Sequence, residues 1–164
     1  MDFDPGPDRQ IRKAPHEFGG SFIFALSPGG VHRWTAAVGG RRGYARADGV
    51  FEHEDRIAVV GSFGGKVDFD PTPSRDKRRS TTDPSDFFLT TFSTNGDYRW
   101  TLALGGPGSD FGTDVVIDPV GDIVCVGWFR DTVDFDPGRG RAKLGSNGAT
   151  DVFVAKYSSR GDYV

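Results

Sequence analysis

Three pairs of aspartates, Asp2 and Asp4, Asp68 and Asp70, and Asp134 and Asp136, are the residues whose type and spacing could do chemistry in this chain. Each pair brackets a phenylalanine and is closed by a proline, as Asp-Phe-Asp-Pro. On an extended strand the i, i+2 spacing puts both carboxylates on one face, where they could hold a hard cation such as calcium. The same pattern arises if Phe69 and Phe135 point into the core while the aspartates face water, the second one ahead of a proline in a turn. That structural reading is the expectation, because two oxygens do not make a calcium site and neighbouring loops would have to bring the rest.

A basic loop follows every copy: Arg9, Arg12 and Lys13, then Arg75, Lys77, Arg78 and Arg79, then Arg139, Arg141 and Lys143. These cations share one phase, so a regular fold sets them on one face, where they could focus a field on an anionic partner such as an acidic polysaccharide. The competing expectation is that the loops are solvated and offset locally by Asp8, Asp76 and Asp83. Nucleic acid is not expected, since no recognised binding motif accompanies the charge and the chain carries a net charge of −3 with a pI near 5.5.

Catalytic and cofactor chemistry finds little purchase. His16, His32 and His53 fall in unrelated phases and none has metal-ligand spacing to another. Cys125, the single cysteine, lies in an apolar run where its copy has Val59; it reads as a small core hydrophobe and excludes an intramolecular disulfide. Asp118 opens the turn Asp118-Pro119-Val120-Gly121, where it is expected to bond its own backbone amides instead of serving a calcium loop. Trp34, Trp100 and Trp128 could stack on sugars, but the first two alternate in phase with apolar residues and read as core. No catalytic residue, cofactor or metal is assigned.

What must position these groups is a repeat. Val67 to Pro71 recurs at Val133 to Pro137, and Asp2 to Pro5 is a third copy, at a spacing of 66 residues each time. Ile57 to Pro71 aligns without gaps on Ile123 to Pro137 with nine of fifteen positions identical. Phe22 to Trp34 falls on Phe88 to Trp100, and a further copy begins at Asp151, displaced by 65 residues. A period of this size signals a repeat architecture. The 164 residues form one repeat region, with phases 1–66, 67–132 and 133–164.

With 24 glycines, 10 prolines, 14 phenylalanines and little helical periodicity, the chain reads as all-β, built from short strands and tight turns. Period-two alternation runs through His32, Trp34, Ala36 and Val38 and through their copies Tyr98, Trp100, Leu102 and Leu104. Asn95-Gly96 marks the turn of a hairpin. A second hairpin is predicted over Val115 to Phe129, whereas Arg41 to Arg56 keeps little of that pattern and its inner strand is suspect. Two hairpins per period give four antiparallel strands that cannot bury both faces alone, as in a β-propeller blade.

Several motifs carry a family likeness: Asp151-Val152-Phe153-Val154-Ala155-Lys156-Tyr157, Gly161-Asp162-Tyr163, Gly105-Gly106 with Asp110 and Gly112, Val116-Ile117-Asp118, Gly121-Asp122 and Val126-Gly127. Together they resemble the bacterial β-propeller repeat called SBBP, over nearly the whole chain. The resemblance implies about two and a half antiparallel four-stranded blades, an incomplete propeller, in an exported or cell-surface repeat protein of undefined role. The inner strand would be about Thr113 to Asp118, the second Asp122 to Phe129 and the third Asp151 to Tyr157, with the outer starting at Asp162. The preceding blade would run from about Arg46 to Leu104, and residues 20–38 would be the outer half of another.

No apolar run at the amino terminus could serve as a signal-peptide core, and no segment reaches membrane-spanning length. Met1 stands where the other copies have valine, so a fragment of a longer reading frame is one expectation. Self-association through exposed end faces is the other. A non-catalytic scaffold or binding module, with a protein or an acidic polysaccharide as partner, is the preferred function. The alternative is a propeller-type hydrolase or lyase acting on a polysaccharide.

Overall fold

The structure, a computed structural model, describes residues 1–7, 9–11, 19–81 and 85–164. Among them the chain is all-β, with strands β1 (Ser21–Leu26), β2 (His32–His53), β3 (Arg56–Asp68), β4 (Lys77–Arg79), β5 (Asp86–Phe92), β6 (Tyr98–Leu104), β7 (Phe111–Ile117), β8 (Ile123–Phe129), β9 (Thr132–Asp134), β10 (Lys143–Gly145) and β11 (Asp151–Tyr157). Every ladder is antiparallel. One sheet has the order β1-β2-β3-β5-β6, with β4 also on β3; a second is β11-β8-β7; a third pairs β10 with β9. Among the described residues there is no helix long and apolar enough to cross a membrane.

Four hairpin turns share one construction. In Ser27–Gly30, Ser93–Gly96, Asp118–Gly121 and Ser158–Gly161 the fourth residue donates its amide to the carbonyl of the first at 2.9 Å. The glycine in fourth place has φ of 77°, 89°, 89° and 89° respectively, a left-handed conformation that side chains resist. The Ser or Asp side chain in first place accepts the amide four residues on, at 3.0 to 3.2 Å. Asp118 Oδ1 takes a second amide, that of Val120, at 3.0 Å, and Lys156 Nζ lies 2.9 and 3.0 Å from the carboxylates of Asp118 and Asp122. An ammonium therefore occupies the place a cation would need.

The suspect segment is a sound strand. From Tyr44 to His53 β2 pairs with β3 down to Arg56, and the turn is made by Glu54, at φ 52°, with Asp55. Pairing with a buried neighbour supplies what local turn chemistry lacks. Past residues 20–38, expected as a separate half-blade, β2 runs on without a break, through an irregularity in register between Gly39 and Arg42.

β3 and β5 are buried on both faces, because the sheet lies between two cores. One face contributes Ile57, Val59, Phe63, Phe88 and Phe92 to a core shared with Ala36 and Val38 of β2. The other gives Ala58, Val60, Phe87 and Leu89 to a core shared with Val115, Cys125, Phe153 and Tyr157. The alternation of the strand assigns each residue to its core. Trp34 and Trp100 are half-buried, and each reaches the turn of the next repeat: indole Nε1 donates to the carbonyl of Thr94 at 2.9 Å and of Ser159 at 3.2 Å.

Candidate functional site

All three Asp-Phe-Asp-Pro copies build the same loop clamp. The first aspartate accepts the amide eight residues on: Asp2 from Gln10 at 2.9 Å, Asp68 from Asp76 at 3.1 Å and Asp134 from Ala142 at 2.9 Å. The next phenylalanine returns its own amide to the carbonyl of that same distant residue, at 3.1, 2.9 and 3.1 Å. The second aspartate accepts the amide two residues on, Asp4 from Gly6, Asp70 from Thr72 and Asp136 from Gly138, at 2.7 to 2.8 Å. Backbone hydrogen bonds hold the carboxyls of Asp2 and Asp134 below the usual carboxylate range, the Gln10 and Ala142 amides leading. The carboxylates thus tie down backbone, and Asp70 is buried instead of facing water. Among the described residues no three His, Cys, Asp or Glu side chains converge as metal ligands would.

The clamp of the second repeat frames an open groove of about 770 Å³. Arg41, Arg42, Lys66, Arg75, Lys77 and Arg79 line it against two carboxylates, Asp68 and Asp70. The register explains which cations enter. Lys66 lies opposite Arg79 and Asp68 opposite Lys77, so these four share one face of the β3–β4 ribbon, while Val67 and Arg78 share the other. Arg41 and Arg42 arrive from β2, where the register irregularity after Gly39 turns them toward the groove. Of the six cations only Arg75 has an ion-pair partner among the described residues, Asp68 at 3.9 Å.

Arg75, Lys77 and Arg79 come together in the groove. Arg78 turns away: its Nε and Nη2 lie 2.7 and 2.8 Å from Asp76, whose carboxylate also accepts the Tyr98 hydroxyl. Burial, helped by that carboxylate, raises the Tyr98 phenol well above its ordinary value. Arg139, Arg141 and Lys143 are exposed around the third clamp and do not line the groove. Arg9 is exposed near the first clamp, and Arg12, Lys13, Asp8, Asp83 and His16 lie outside the described residues. Arg41, Arg42 and Lys66 escaped the sequence reading, although Arg41-Arg42 directly follow the glycine pair that recurs at Gly105-Gly106.

Two buried carboxylates stand apart from the groove. Asp110 accepts the amides of Gly106 at 2.9 Å and Arg130 at 3.3 Å, and Asp86 accepts the amide of Thr81 at 2.7 Å. Burial, with Asp86 and Asp131 nearby, pushes Asp110 up to about 6, and burial raises Asp86 as well. The folded chain therefore holds a proton on Asp110 that the unfolded chain releases near pH 4, and stability falls as pH rises from about 4 to about 6. Denaturant melts at pH 4.5 and 7 are expected to show Asp110→Asn lacking a decline of roughly 1–2 kcal/mol that the unsubstituted chain shows. Parallel pH profiles for both would refute the assignment. Burial likewise pushes the Cys125 thiol up to about 12, so it is a packed apolar group.

No family model matches the chain, and a search of curated proteins finds no match.

Proposed function

We propose that this chain is a non-catalytic binding module built from β-propeller blades of the SBBP kind, and that its basic groove takes an acidic polysaccharide. The observation that carries the binding is the charge of the groove: six cations against two carboxylates, five of those cations without an ion pair among the described residues. Unpaired cations on an open rim focus a field on an extended polyanion and hold it through many weak, salt-screened contacts. A linear chain of carboxylate or sulfate groups fits an open groove better than a compact anion does.

Two features support the blade reading. β2, β3, β5 and β6 form a four-stranded antiparallel meander, and β7, β8 and β11 repeat its first three strands, with the Tyr157–Tyr163 bridge opening a fourth. The two meanders pack face to face through one apolar core, as successive blades do.

Calorimetric titration with polygalacturonate and heparin, with neutral dextran as control, is the test. Both polyanions are expected to bind, with affinity falling steeply as salt rises. Lys77→Glu with Arg79→Glu is expected to lose at least about tenfold in affinity, whereas Arg139→Glu with Arg141→Glu changes it by less than about threefold. Equal losses for both pairs would place binding on the loops at large. No binding would overturn the reading, and turnover of a polysaccharide that survives the groove substitutions would favour an enzyme.

A further inference from the structure

We propose that the two end faces of this stack are the two halves of one head-to-tail contact, through which a second copy of this chain adds to the first. The interface between the two meanders supplies the template. In it, Phe87, Leu89 and Val60 of the β2-β3-β5-β6 meander are 0–1% exposed because the β7-β8-β11 meander covers them. Their counterparts one repeat later, Val152, Val154 and Val126, lie on the far face of the β11-β8-β7 sheet, and Val152 and Val154 are 72% and 70% exposed. That face is mostly apolar, with Lys156 and Asp114 also on it, and has nothing over it among the described residues.

The surface that would cover it is on the same chain. In the template, the third repeat offers Phe153, Ala155 and Tyr157, all within 4% of full burial. The corresponding residues of β1 are Phe22, Phe24 and Leu26, of which Phe24 and Leu26 are 49% and 42% exposed. This face is already finished in the way of the others: Phe3 of the first Asp-Phe-Asp-Pro seats on Phe22 and Phe24 with ring centroids 4.7 and 5.5 Å apart, as Phe69 seats on Phe88 and Phe135 on Phe153. The trailing face repeats positions that the second meander buries, and β1 repeats the β11 positions that cover them, so the two faces complement each other along these strands. Because the two faces differ, the contact is heterologous, and it builds a ring where the rotation closes and a filament where it does not.

Light scattering on the purified chain over micromolar to submillimolar concentration is expected to give a mass that rises from one chain to two or more. Val152→Asp with Val154→Asp, on the trailing face, and Phe24→Lys, on the leading face, should each leave a monomer. Each variant keeps one intact face, so an equimolar mixture should restore a mass of two chains and no more. Circular-dichroism melts confirm that the variants fold, and Leu26→Lys replaces Phe24→Lys if the latter does not. A monomeric parent chain, an association untouched by both substitutions, or a mixture that stays monomeric would overturn the proposal. The contact does not involve the basic groove, so polyanion binding by the monomeric variants is read independently.

Discussion

Phe135→Ala and Phe69→Ala are each expected to lower stability by about 3–5 kcal/mol, while Phe3→Ala, the same change in the same motif, costs no more than about 1.5 kcal/mol. Phe135 is 2% exposed and packs on Phe129 and Phe153, with centroids 5.5 and 4.7 Å away. Phe69 is fully buried against Phe63 and Phe88, at 5.4 and 4.9 Å. Truncating either ring leaves a cavity walled by other aromatic rings on a rigid sheet, which cannot collapse to fill it. Phe3 makes the same ring contacts on an end face that no further sheet covers among the described residues, so truncation there returns surface to water without opening a void. Urea melts of the three variants, at concentrations where the chain is monomeric, decide it. A loss at Phe3 as large as at Phe135 would mean that the end face is covered after all.

Most of the strands were legible in the repeat. Strands β5, β6, β8 and β11 and the turn at Asn95-Gly96 lie where alternation and turn residues put them. The inner half of β2 was illegible for a physical reason. Its turn carries Glu54 at φ 52° where the other inner hairpin has Gly121, so the local signal vanished while the pairing to β3, a non-local interaction, remained. The continuity of β2 past Gly39-Gly40 was hidden likewise, since a glycine pair reads equally as a loop or as a distortion within a strand.

The groove was legible in part. Charge and phase pointed to Arg75, Lys77 and Arg79, but the run Lys77-Arg78-Arg79 is a short strand, and alternation expels its middle member toward Asp76. Lys66 and Arg42 join the site only because β2 and β4 both pair with β3, a juxtaposition that sequence separation conceals. The aspartate pairs were expected to be structural, around a core phenylalanine, but their spacing carried no sign that the first of each accepts an amide eight residues on, and only the equal loop length in all three copies hinted at that.

Gly127→Ala, and Gly61→Ala at the matching position, are expected to destabilise by roughly 3 kcal/mol. A glycine in the middle of a buried strand is a poor choice for the sheet itself, so its recurrence in Val-Val-Gly and Cys-Val-Gly needs a reason. The inner strand opposite supplies it, through register shifts between Ala47 and Gly49 and between Gly112 and Asp114. Each irregularity drives a carbonyl at the glycine: a Cβ on Gly61 would lie 1.9 Å from the Arg46 oxygen, and one on Gly127 1.9 Å from the Phe111 oxygen and 2.7 Å from the Phe153 ring. The inner strand would have to retreat and surrender ladder hydrogen bonds. The stabilisation of about 0.4–1 kcal/mol that alanine brings by restricting the unfolded chain is too small to offset this. Gly145→Ala is the control, since a Cβ there meets only Thr132 Oγ1 at 3.7 Å, and it should stay within about 0.5 kcal/mol of the parent. If the urea midpoints of Gly127→Ala and Gly145→Ala coincide, the inner strand does not press on Gly127, and the repeated glycine must be explained by something other than this close approach.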